Sequence, residues 1–155
     1  MNIETQFTDV VRLIREAQAK AMRTVNTQLI DLYWNIGEYI SERVQSQQWG
    51  QSVVIELSRY LQETEPDLKG FSDKNLWRMK QFYECYREQA KLSSVMREIS
   101  WTHNLVILSR AKTIEEKEFY LRLCARERFS VRELERQFNS GTFERTMLGT
   151  QNSHQ

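Results

Sequence analysis

FTDVVRLIREAQAKAMRTVNTQLIDLYWNIGEYISERV, residues 7–44, places apolar side chains at Phe7, Val10, Val11, Ile14, Ala17, Ala21, Val25, Leu29, Leu32, Ile36, Tyr39 and Ile40. The spacings are those of a helix, three and four residues throughout, sustained for about ten turns at 3.6 residues each. Either one helix of unusual length or two helices with a slight break near Thr24 to Thr27 satisfies the pattern. A ten-turn helix rarely finds enough surface inside one small domain, so a partner helix from another chain would cover it. An ordinary intramolecular helix pair is the alternative.

Downstream, Gln47-Gln48-Trp49-Gly50 ends this segment, with Gly50 read as the left-handed cap and Ser52 as the start of the next helix through Val53, Leu57, Tyr60 and Leu61 to Glu65. Pro66 and Gly70 bracket a turn, and Ser72 caps a helix whose apolar face is Leu76, Met79, Phe82, Tyr83 and Tyr86. Another helix follows from about Ser100 to Ala111. Thr113 with Glu116, and Ser130 with Glu133, read as capping boxes opening the last two. Residues 92–100 read as loop. The expectation is an all-α, multi-helix domain over 1–145, with a long N-terminal helix or helix pair and a helix-turn-helix-like middle. Residues 146–155 are expected to be a disordered tail.

Composition agrees with one soluble helical domain: 155 residues, 40% hydrophobic, 28% charged with mixed signs, 5 Gly and a single Pro. No run of about 20 apolar residues is available to span a bilayer. The N-terminus lacks the basic and apolar regions of a secretory leader, so the expected location is the cytoplasm. Cys85 and Cys124 then read as reduced thiols in helices. His103 and His154 stand apart from each other and from both cysteines, so no metal and no cofactor is expected.

Charge is unevenly spread although the net is only +1. Residues 1–65 hold 6 basic and 9 acidic side chains, whereas 69–97 hold 7 and 3, a local +4. A polyanion would bind in the middle of the chain. On the helix after Ser72, 100° steps place Lys74, Arg78, Gln81 and Cys85 opposite the apolar face, with Trp77 beside them and Lys80 nearer the core edge. Lys74, Arg78 and Lys80 are suited to phosphates, and Gln81 or Asn75 to base edges. The bland alternative is a solvated face. Trp34 and Trp101 read as core, while Trp49 and Trp77 read as interface residues. His103 reads as structural. Glu115-Glu116-Lys117 contains a Glu-x-Lys element, but on a helix start, where adjacent carboxylates diverge, so it is not a metal site.

Several ordered segments carry a family resemblance: Tyr33-Trp34-x-Ile36-Gly37, Trp49-Gly50, Gly70-Phe71-Ser72, Asn75-Leu76-x-x-Met79-x-x-Phe82-Tyr83, Trp101-x-His103, Phe119-Tyr120 and Val131-x-Glu133-Leu134. Together they cover about residues 10–140 and resemble the N-terminal domain of the YhcG family, a helical domain that precedes a PDDEXK nuclease domain in bacterial proteins. Phe129 replaces a frequent Trp and Thr102 a frequent Ser. No nuclease segment follows in this sequence, so a chain without catalytic residues is expected. The resemblance implies a bacterial cytoplasmic protein associated with nuclease-type, DNA-directed systems; with the +4 segment and the Lys74, Arg78 and Gln81 stripe, the expectation is a non-catalytic DNA-binding or targeting domain, with DNA and a nuclease domain or partner protein as partners. A second function remains open from the residues: a protein-interaction and dimerisation domain, most simply a homodimer, without direct nucleic-acid contact.

Overall fold

The computed structural model describes residues 3–153. Among them are eight α-helices and no strand: α1 (Ile3–Gln45), α2 (Gln51–Thr64), α3 (Asp73–Tyr86), α4 (Ser93–Arg97), α5 (Trp101–Arg110), α6 (Ile114–Glu127), α7 (Val131–Asn139) and α8 (Thr142–Ser153). The long N-terminal stripe is therefore one helix of 43 residues. Nothing between Thr24 and Thr27 breaks it, because neither Gly nor Pro interrupts the ladder there and the Thr24 hydroxyl returns to the Lys20 carbonyl.

The most extensive helix contact joins the second half of α1 to α3. Ile30, Tyr33 and Ile40 of α1 and Leu76, Met79, Phe82 and Tyr86 of α3 are all buried. Gly37 is what permits their approach: a Cβ built there would lie 2.1 Å from the Met79 carbonyl oxygen, a backbone atom of the facing helix. The contact is extended by rings. Phe82 meets Trp101 at 5.1 Å, Trp34 at 5.6 Å and Tyr86 at 5.4 Å, and Tyr33 lies 4.8 Å from Trp101. Edge-on and tilted contacts of this kind add to simple burial. At the far end, Lys80 pairs with Glu84 at 2.8 Å, and Glu84 accepts from Ser41 of α1 at 2.8 Å. Burial alone would raise the Glu84 carboxyl, but hydrogen bonds from Lys80, Ser41 and Gln45 and the Lys80 charge bring it below the usual carboxylate range.

Beyond this pair, α2 packs on α3, α4 on α1 and α6, and α5 on α6 and α7. Asn104 in α5 donates to the Met96 and Ser100 carbonyls. Asn26 donates to the Arg97 and Ile99 carbonyls, and Arg97 pairs with Asp31, so α1 is fastened to the end of α4 by polar bonds. A second cluster forms on Tyr120 of α6, which stacks on Phe138 at 3.8 Å and accepts from the Phe143 amide.

Helix starts follow the sequence reading at Ser72, Ser100, Thr113 and Ser130, each accepting from the amide three residues on. Three readings are corrected. Gly50 is extended, not left-handed, and occupies the cap position of α2 in place of Ser52; Gln47 takes the positive φ after α1 instead. Residues 92–100, expected as loop, hold the end of a 3-10 turn (Ala90–Leu92) and the short helix α4, because Leu92, Val95 and Met96 are buried at helical spacing. Residues 146–153, expected as a disordered tail, continue helix α8; 154 and 155 lie outside the described residues.

Replacing Gly37 by Ala is expected to cost about 3 kcal/mol or more, since the new methyl meets a carbonyl that cannot rotate away. Urea unfolding would measure it, with Gly149→Ala, where nothing lies within 4 Å of the added carbon, as the comparison.

Candidate interaction surfaces

Beyond the core, α1 continues as an arm. Every residue from Gln6 to Val25 is exposed, and burial begins only at Asn26. The arm nonetheless carries large apolar side chains: Phe7 is 64% exposed, Leu13 61%, Met22 74% and Val25 67%. Stepping by 100° per residue puts Phe7, Val10, Val11, Leu13, Ile14, Met22 and Val25 on one half of the circumference. Asp9, Arg12, Arg15, Glu16, Lys20 and Arg23 all fall on the other half. The apolar half continues past the arm through the exposed Leu29, Leu32 and Tyr39. By the same steps Ile30 and Gly37, which meet α3, fall on the other half, while Ile40 falls at the edge of the apolar half, level with Met22. The charged half of the arm lies roughly in line with the core-facing side, so the helix changes from apolar to charged on that side where the domain body ends.

At the body end of this face, Arg43 stacks over the Tyr39 ring at 3.3 Å and Trp49 meets the same ring at 5.8 Å. Trp49 and Trp77, expected as interface residues, are both half-buried against the core rather than free. Lys80 lies over Trp77 at 5.5 Å.

The α3 stripe is divided. Asn75 is committed to the fold: it donates to the Gly70 carbonyl at 2.5 Å and accepts from the Trp101 indole at 3.0 Å, tying the turn 65–72 to α5. Lys80 is held by Glu84. Both side chains, read from the sequence as suited to base edges and phosphates, thus also hold contacts within the fold. Lys74, Arg78 and Gln81 make no ion pair or side-chain hydrogen bond with any described residue. Arg78 and Gln81 line a shallow depression of about 250 Å³ shared with Thr102, Leu105 and Ser109 of α5. Across α2 and the turn, residues 51–72, the acidic Glu56, Glu63, Glu65 and Asp67 outnumber Arg59 and Lys69. A duplex laid over both helices would meet like charge on the first.

His103 has both ring nitrogens in use. The Phe129 carbonyl, 2.7 Å from Nε2, can only accept, so Nε2 carries the proton and Nδ1 accepts from the Ser100 hydroxyl at 2.5 Å. Glu116 is buried and accepts from the Lys112 amide at 2.8 Å, closing a helix start, while Glu115 points to solvent. Among the described residues no group of three or more His, Cys, Asp or Glu side chains converges on a cation position, and no helix is long and apolar enough to cross a membrane. Burial pushes the Cys124 thiol up to about 11, and it raises Cys85 as well against the nearby Lys117 charge.

Such an arrangement defines an all-helical domain among the described residues. The chain belongs to the DUF1016 N-terminal domain family, whose profile matches residues 9–145, and this is the N-terminal domain of the YhcG type that the sequence resembles. The matched family is an N-terminal domain and not a catalytic one. No curated protein and no solved structure matches the chain.

Two outcomes separate structural from surface roles here. Asn75→Ala is expected to lower stability by about 1–3 kcal/mol, because the buried edge of Trp101 loses its acceptor, while Gln81→Ala stays within about 0.5 kcal/mol; chemical denaturation reads both. In the folded protein Cys124 is expected to resist iodoacetamide at pH 8, being almost wholly protonated and buried, and to react on unfolding, as mass spectrometry would show.

Proposed function

We propose that this domain is a non-catalytic protein-interaction and dimerisation module, working in the bacterial cytoplasm as the family resemblance implies, with a second copy of the chain covering α1. The observation that supports it is the segregation on α1: ten exposed large apolar side chains, from Phe7 to Tyr39, on one half of the helix. Each leaves roughly half of its surface in water, which amounts to on the order of 900 Å² per copy, the area a standard interface buries on each partner. A bare arm also lacks the main source of helical stability in proteins, the packing of its amphipathic face.

Sedimentation equilibrium tests the reading. The purified chain is expected above 18.6 kDa at micromolar concentration, and Ile14→Asp with Val25→Asp is expected to return it to 18.6 kDa with its body still folded. A wild-type monomer at tens of micromolar, or a monomer that binds vesicles of phosphatidylcholine and phosphatidylglycerol, would overturn it.

A second reading, contact with DNA, is favoured by the uncommitted Lys74, Arg78 and Gln81 on the outer face of α3. A labelled duplex titrated at low and moderate salt would show affinity falling with salt. Lys74→Glu with Arg78→Glu is expected to weaken it at least tenfold; absence of binding at low salt removes this reading.

A further inference from the structure

Resting on the dimerisation reading, the geometry points to an antiparallel pairing of α1 with α1, with the two-fold axis crossing the helices level with Arg23. At steps of three and four residues the outward face runs Phe7, Val11, Ile14, Gln18, Ala21, Val25, Gln28, Leu32, Asn35, Tyr39. The series reads almost alike from either end. Phe7 corresponds to Tyr39, Ile14 to Leu32, Gln18 to Gln28 and Ala21 to Val25; Val11 with Asn35 is the one unlike pair. An antiparallel two-fold brings these positions to the same levels, in the alternating layers that two packed helices form at a 3.5-residue repeat. Aromatic then meets aromatic, branched aliphatic meets aliphatic, and amide meets amide, the last pair able to hydrogen-bond across the seam. A palindromic face of this kind is what an isologous interface needs, since each patch must complement itself. A foreign helix places no such demand on it.

Three further features bear on the pairing. No charged side chain occupies any of the ten positions. The body packs against α1 chiefly through Ile30, Gly37 and Ile40, about a third of a turn from the outward face, and Arg43 and Trp49 border that face at Tyr39. Antiparallel alignment also lays each uncovered arm on the exposed second half of the other helix, burying Leu29, Leu32 and Tyr39 with the same surface that covers Phe7 to Val25. A parallel pair would instead crowd two Tyr39–Arg43–Trp49 groups together and set Arg43 beside Arg43.

Disulfide trapping tests the register. Ile14→Cys and Leu32→Cys chains, each at an exposed position, are oxidised separately and mixed, with the unsubstituted chain as the blank and far-UV circular dichroism confirming the helix. The mixture is expected to yield cross-linked dimer at least tenfold faster than either variant alone, as is a mixture of Ala21→Cys and Val25→Cys chains. Self-cross-linking of Ile14→Cys at the rate of the mixture overturns the antiparallel register while the dimer stands. A monomeric wild-type chain in sedimentation overturns dimerisation itself.

Discussion

The approach of α1 to α3 at Gly37 governs everything built on it. Missing one Cβ, α1 lets the Met79 carbonyl lie almost against its backbone. That closeness brings Phe82 within ring contact of Trp34 and Trp101, and Trp101 in turn holds Asn75, which holds the turn before α3. One small residue thus sets the spacing on which an aromatic cluster and a hydrogen-bonded bridge depend. Packed interiors transmit such spacing because they contain few voids to absorb a shift.

The same contact accounts for one of the two apolar faces that α1 carries. A helix that only closed a core would be polar on its outer side throughout. Here Tyr33 and Ile40 turn inward while Tyr39, one residue before Ile40, turns outward under Arg43. Read along the chain, these residues merge into one continuous three-and-four pattern. The pattern marked the helical stretch, leaving one helix or two open, and pooled an inward and an outward surface.

Legibility in the sequence followed the range of the interaction. Local signals were plain: Ser72, Ser100, Thr113 and Ser130 cap the helices they precede, because capping needs only the next three residues. Contacts distant in sequence were not. Asn75 accepts from Trp101, 26 residues later, and Lys80 is linked through Glu84 to Ser41 of α1, contacts that no local pattern announces. The helix Ser93–Arg97 was hidden because two serines and a short length dilute its period, while its burial comes from α1 and α6. Lys74, Arg78 and Gln81 make no ion pair or side-chain hydrogen bond among the described residues.

Because α1 passes from body to arm without a break and is clamped at Asn26 and Asp31, the arm's orientation is geared to the core. A single residue inserted between Val25 and Asn26 would turn the arm's apolar half by about 100° and advance it by about 1.5 Å. Loops absorb such insertions readily. This junction has no such slack, and the spacing from Phe7 to Gly37 behaves as a fixed ruler between arm and core.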